Sequence, residues 1–267
     1  MFLGILTILT ISSQWINCEN LSTLNVINLK SLKKIEITEY KGAMNQEVFS
    51  FFQHITELEV KNSEFTLDNN FLHVLPRLRK LTMTDNRITT TGSNVTDCCE
   101  HLTELRLVNN HMKNLRIDQI GKVPYILLLV LTGEDVPVLK KEGFSASPRI
   151  KEMNITYSGL TTIEAGAFKG LQELETLNLE GNRLTHMTRE ILEPLKVLQK
   201  LVLKNNLLGE FSGDAVLNLD WLQFIDISHN PIKKLAIENI RNKAIRLKKI
   251  DVTGIDGTTQ EILKFRE

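Results

Sequence analysis

Cysteine is scarce in this sequence. Only Cys18, Cys98 and Cys99 occur among 267 residues, so there is no even set at regular spacings and a disulfide-stapled scaffold is excluded. Aromatic residues make up 6% of the chain, and 32 basic residues are cancelled by 32 acidic ones. Both the base-stacking platform and the basic footprint of a nucleic-acid-binding domain are therefore missing, and no nucleic-acid partner is expected. Past the N-terminus the longest apolar run, Ile126 to Leu131, falls well short of the roughly 18 residues that suggest a membrane span. No transmembrane anchor is read in this chain. The six histidines (His54, His73, His101, His111, His186 and His229) show neither HExxH nor a Cys/His metal spacing, and there is no Gly-rich phosphate loop or GxSxG. No nucleophile, base and orienting group can be assembled, so the chain reads as non-catalytic, with no cofactor and no metal. Asp226 and Asp251 are paired carboxylates, read as ordinary surface.

What the sequence does have is an apolar, uncharged start and a long periodic body. Met1 to Ile16 (MFLGILTILTISSQWI) lacks the positive flank of a typical leader, yet its length and hydropathy match a secretory signal peptide. Cleavage after Ser13, Asn17 or Cys18 is compatible with the pattern, and residues 1–18 are assigned to the leader. A buried first strand is the competing reading. The expected localisation is secreted, extracellular.

From Leu32 onward, core residues recur at Leu32, Ile55, Leu78, Leu102, Ile126, Ile150, Leu174, Leu198, Leu222 and Leu247, in steps of 23 to 25 residues. Such a fixed period marks a repeat architecture in which each coil buries its faces only against its neighbours. Within a unit the pattern is LxxLxLxxNxL, as in Leu198-Gln-Lys-Leu201-Val-Leu203-Lys-Asn-Asn206-Leu-Leu208. Leu201 and Leu203 alternate inward with Val202 and Lys204 outward, as a short strand requires. The Asn closes the strand, since its amide can bond backbone groups of the turn. Further apolar positions such as Phe211, Val216 and Leu219 fill the core from the return half.

This ten-fold pattern resembles the leucine-rich repeat family, in its extracellular animal subclass with 24-residue units and an xxLxxxxFxxLxx return, similar to Toll-like receptor ectodomains. The resemblance implies an α/β fold: a curved, horseshoe-shaped solenoid of about ten coils with a parallel β-sheet on its concave face. It also implies recognition of a protein ligand or co-receptor, in innate immunity, adhesion or receptor-type signalling, as a homo- or hetero-oligomer where assembly is needed. A short or decoy form of a membrane receptor ectodomain is one alternative, and an intracellular regulatory repeat protein is another. The expected organisation is an N-terminal edge segment (19–31), the repeat domain (32–256) and a capping tail (257–267). Ile262, Leu263 and Phe265 of that tail are expected on one face of a short helix over the last coil.

The Asn position departs from its pattern as Tyr40, Ser63, Glu134, Ser158 and Ile255. Serine can supply one weaker hydrogen bond, whereas Glu134 needs a partner or must swing outward, so the fifth coil is expected to be irregular. That coil also carries Leu127, Leu128 and Val130 at outward positions, with Val108 before and Tyr157 after. This is a candidate contact surface, with local distortion as the alternative. Val202 beside Phe224 forms a second, smaller cluster. Three N-x-S/T sequons make Asn20, Asn94 and Asn154 candidate glycan acceptors. A glycan on Asn154 would cover part of the patch, so the two readings compete. Cys99 falls on the apolar column of Leu171, Leu195 and Leu219. Cys98 points elsewhere and is the candidate for an intermolecular disulfide.

Overall fold

The computed structural model describes residues 8–12, 31–44, 46–67, 71–90, 101–112, 123–255 and 262–265. Expectations that rest on Cys18, Asn20, Asn94, Cys98 and Cys99 lie outside these residues. The chain forms two compact units, Met1–Ile126 and Leu127–Glu267.

In the first unit the alternation of apolar and polar residues becomes a parallel sheet. Its strands are β1 (Ile8–Ser12), β2 (Lys34–Thr38), β4 (Glu57–Lys61), β6 (Lys80–Thr84) and β8 (Glu104–Val108), side by side in that order. The repeat sets the register: Lys34 pairs with Glu57, Glu57 with Lys80 and Lys80 with Glu104. A second parallel sheet follows the first around each turn, from β3 (Lys41–Met44), β5 (Glu64–Leu67) and β7 (Arg87–Thr90). Ile35, Leu58, Leu81 and Leu105 form one inward row; Ile37, Val60, Met83 and Leu107 form the next, all of them buried. Each such side chain contributes about 1.5–3 kcal/mol by leaving water. Phe49 and Phe52 close the far side edge-to-face, 6.4 Å apart. Strand β1 pairs in full with β2, Ile8 opposite Lys34 through Ser12 opposite Thr38.

The second unit repeats the plan. Strands β9 (Leu128–Thr132), β11 (Glu152–Thr156), β13 (Thr176–Asn178), β14 (Lys200–Val202), β15 (Phe224–Asp226) and β16 (Lys249–Asp251) are parallel neighbours. The pair β10 (Val138–Leu139) and β12 (Thr162–Ile163) lies on the return side. There the xxLxxxxFxxLxx positions meet as well: Phe144 and Phe168 are fully buried and stacked, with centroids 6.4 Å apart. Short helices Arg189–Leu192 and Ile237–Lys243 and a 3-10 turn Gly213–Val216 bury Leu192, Ile240 and Val216 in later coils.

Two expectations are corrected here. The tail does not form a helix: Ile262–Lys264 is strand β17, antiparallel to β16. An exposed edge of unpaired backbone groups is satisfied better by a strand than by a helix laid over it. The fifth coil is also not irregular in its pairing with the sixth, because all five residues of β9 pair with β11. Glu134 does not swing outward. It stays buried at 3% exposure, and its N–H donates to Ser158 Oγ at 3.4 Å.

Candidate recognition surface

The outward sheet face is positioned by the two ladders beneath it. The first is the Asn column. Asn182 Oδ1 accepts from the N–H groups of Ser158 and Leu160 (3.1 Å each), and its Nδ2 donates to the carbonyls of Ile155 (2.7 Å) and Leu179 (2.9 Å). Asn206 and Asn230, one and two coils further on, each accept from one N–H, of Leu184 and Leu208, and donate to the two corresponding carbonyls. In the first unit Asn86 bonds Ser63 N–H, the Val60 carbonyl and Asn110 Oδ1. Serine substitutes as expected, with Ser63 Oγ accepting from Tyr40 N–H at 3.0 Å. Each amide thus ties its turn to the coil before, where an unbonded buried polar group would cost about 1–3 kcal/mol.

The second ladder was not read from the sequence. The residue just before the Asn position has positive φ in every coil: Glu39, Asn62, Asp85 and Asn109 in the first unit, then Gly133, Tyr157, Gly181, Asn205, His229 and Gly254 in the second. This left-handed residue turns the strand out of the sheet and passes its N–H to the following coil, as with Tyr157 to Glu180 and Gly181 to Lys204. A signal existed, because most of these positions hold Gly, Asn or Asp, which tolerate that conformation. Tyr157 does not fit that list, and its ring explains its place. The ring lies on Gly181, where a Cβ would collide with it, and its hydroxyl donates to Glu180 Oε1 at 3.0 Å. His229 covers Gly254 in the same way. Gly181 therefore answers both to its φ of 71° and to the tyrosine above it. Gly181→Ala is expected to cost about 1–3 kcal/mol for an L-residue forced into a sparsely populated region, read from chemical denaturation. Tyr157→Ala in the same chain should return the part caused by the ring.

These ladders place the sequence-derived residues as follows. In the first unit Val108 ends β8 and is half-buried. In the second, Leu127 and Leu128 are half-buried at outward positions that Lys151 and Glu152, Glu175 and Thr176, and Gln199 and Lys200 hold in the next three coils. Val130 is instead buried at 8% exposure and Val202 at 6%, a correction to both proposed clusters. Valine is short, and its row neighbours are longer: Asn154 beside Val130, Asn178 and Asp226 beside Val202. With rows about 4.8 Å apart, such neighbours cover it. Tyr157, 55% exposed, leans onto the coil after it rather than the coil of Leu127 and Val130. Asn154 is half-buried beside Val130, with Nδ2 donating to Glu152 Oε1 at 2.8 Å. Asn20, Asn94 and Cys98 lie outside the described residues.

Phe224 is not the partner of Val202. It sits in a cationic row, with Lys200 and Lys249 opposite it on either side. Their Nζ atoms lie 5.7 and 5.1 Å from its ring centroid, within cation–π range. The first unit carries a different electrostatic pattern, a network across coils in which Lys34 and Lys61 both bond Glu59 (2.6 and 2.7 Å). Burial pushes the Glu59 carboxyl up, but the two ammonium groups together hold it below the usual carboxylate range. Among the described residues no three His, Cys, Asp or Glu side chains are grouped to hold a metal ion, and no helix is long and apolar enough to cross a membrane.

A leucine rich repeat profile matches residues 124–184, 148–201 and 172–232, and a profile of BspA type leucine rich repeat regions matches residues 22–116. Together they span more than half of the chain. No curated protein sequence matches. Among solved structures, the chain is similar to one in a TLR13–ssRNA13 complex, with a TM-score of 0.72, 17% identity, and coverage of 93% of this chain and 39% of that one. It is also similar to a chain of the glycosylated Toll–Spatzle complex, described as a hub in Drosophila development and innate immunity (TM-score 0.70, 18% identity, 86% and 35%). The leucine-rich repeat domain of APL1B matches with a TM-score of 0.65, 16% identity, and coverage of 96% and 68%. At these identities the likeness is one of fold. The chain spans well under half the length of the first two relatives.

Proposed function

The chain belongs to the leucine-rich repeat proteins, and on that premise we propose that it is a non-catalytic recognition module that binds a protein partner through its outward sheet faces. One observation carries the reading. Inward rows are uniformly apolar and closed, whereas the outward rows vary freely from coil to coil and leave Leu127 and Leu128 half-covered by solvent. A surface preformed by Asn ladders meets its partner with little ordering cost. The role fits innate recognition, adhesion or receptor-type signalling outside the cell, including a short or decoy form of a receptor ectodomain. The reading of residues 1–18 as a leader belongs to this proposal.

The test uses the full chain expressed in a eukaryotic secretory host, collected from the medium and immobilised. Partner capture from the source tissue should retain a small set of proteins, and L127E/L128E should reduce their retention roughly tenfold, the scale of a lost interface anchor, with an unchanged circular dichroism spectrum. Identical capture by both forms would exclude the leucines. A product that stays cytosolic and unglycosylated would favour an intracellular regulatory protein. Strand β1 supports a second reading, in which Ile8–Ser12 stays as the edge of the first sheet. N-terminal sequencing of the collected protein separates the two: a start between residues 14 and 19 supports a leader, a start before Ile8 supports the strand.

A further inference from the structure

Charge on the outward face is mostly settled within the molecule. Lys34, Lys61, Lys80 and Arg106 in the first unit, and Lys151 and Lys204 in the second, all lie within ion-pair distance of glutamates in their own or a neighbouring coil. The last coils are different. Lys200, Lys249 and Lys264 stand in register on β14, β16 and β17, with Phe224 of β15 between the first two. Lys248 is exposed beside Lys249. None of these four ammonium groups is within ion-pair distance of a carboxylate among the described residues. Two of them are held over the Phe224 ring instead.

Carboxylates do stand nearby, yet they are turned away. Asp226 and Asp251 are register partners one row further along the strands. Asp226 Oδ1 accepts from the N–H and hydroxyl of Ser228 (3.0 and 2.6 Å), and Asp251 Oδ1 accepts likewise from Thr253 (3.1 and 2.7 Å). These hydrogen bonds hold one oxygen of each carboxylate over its own turn, and neither carboxylate lies within ion-pair distance of the lysines. The result is a strip with a cationic row and an anionic row about 6.7 Å apart, two residues along a strand. Three residues before Phe224 and Lys249, Trp221 carries Arg246 over its ring at 4.1 Å, which adds an exposed apolar and cationic margin.

We propose that the row Lys200, Phe224, Lys249 and Lys264, with Asp226 and Asp251 beside it, seats a polypeptide segment that places carboxylates over the lysines, an apolar side chain on Phe224 and a cationic side chain over the aspartates. This deepens the protein-recognition reading and rests on it. The second row decides the class of partner. A uniform polyanion laid across the strip would bring its charges against Asp226 and Asp251, and like charges at such range cost affinity. A polypeptide can alternate its charges at the pitch of the strip. The lysines already held over an aromatic ring lose less freedom on binding than free ones.

The experiment selects random peptides displayed on phage against the immobilised full chain at about 0.15 M salt, where screening removes long-range attraction. Enriched peptides should combine Asp or Glu with an apolar residue and a Lys or Arg. Their Kd should weaken roughly tenfold or more on K200E/K249E, as for the loss of close interfacial charge pairs, and less on F224A. A peptide with its acids changed to lysines should bind K200E/K249E better than wild type. Enriched peptides without acidic residues, or with equal affinity for K200E/K249E, would overturn the proposal. If those peptides were instead weakened by L127E/L128E, the recognition reading would stand without it. Heparin and single-stranded poly-uridine RNA serve as polyanion probes. Binding of either, lost in K200E/K249E, with no peptide enriched, would overturn the proposal in favour of a polyanion site. No enrichment and no polyanion binding would also overturn the proposal. Circular dichroism of each variant guards against misfolding.

Discussion

Asn182→Ala is expected to remove about 3–5 kcal/mol of stability, since it leaves several buried backbone groups without partners at about 1–3 kcal/mol each. The amide bonds two N–H groups, of Ser158 and Leu160, and two carbonyls, of Ile155 and Leu179. Asn182 itself is buried, at 5% exposure, so water reaches its place poorly. The total falls below a simple sum because carbonyls carry a second lone pair and the turn can relax. Asn182→Ser should cost less, about 1–2 kcal/mol, because one hydroxyl still satisfies part of the set. Ser158 shows how: its Oγ donates to the Thr156 carbonyl at 2.9 Å while accepting from Glu134 N–H. Denaturant titration of the full chain gives the ranking. Stacked coils need not unfold in one step, so amide hydrogen exchange is the sharper measurement. Ser158 and Leu160 should lose protection first. A variant in which both amides stay protected would show that the Asn column is dispensable.

Phe168→Ala should be as costly, about 3–5 kcal/mol, the range for a fully buried aromatic replaced by alanine. Phe168 is completely buried and stacked on Phe144, so the truncation opens a cavity under the return side of two coils. The same column holds Leu192 in the next coil, also completely buried. Phe168→Leu should therefore be tolerated better, at about 1–2 kcal/mol, because leucine fills most of the volume. The contrast separates cavity formation from loss of the aromatic pair: equal costs for Leu and Ala would mean that stacking with Phe144 matters more than volume. Thermal or denaturant unfolding of both variants gives the comparison.

Both predictions concern features that the sequence made visible. The period places Leu177, Leu201 and Ile225 in one inward row, and their strands pair in that register. The Asn ladder was likewise expected from residue type and position. The outward face was harder to read. Val130 and Val202 stand at outward positions and are nevertheless buried, because exposure depends on the length of the neighbours in adjacent coils. Outward position alone places Tyr157 beside the coil before it, but a left-handed backbone and the absence of a side chain at Gly181 bring its ring onto the coil after. Apolarity groups Phe224 with Val202, whereas register sets it between two lysines.

Sequence alone determined the coil: its length, its inward rows, the Asn that closes half of its strands and the apolar column behind it that holds Phe144 and Phe168. Those follow from periodic burial, which every repeat states again and which therefore survives local exceptions. Tertiary structure decided what each outward residue meets. It turned Ile262–Lys264 into an antiparallel strand, buried two valines, kept Glu134 inside, and set Lys200 and Lys249 over a shared ring while Asp226 and Asp251 accept from the hydroxyls of Ser228 and Thr253. The reason is geometric. Inward identity is set by a residue's own place in its coil, but the chemistry of the face arises between residues about 24 positions apart, and only the register and the lengths of facing side chains say which of them touch.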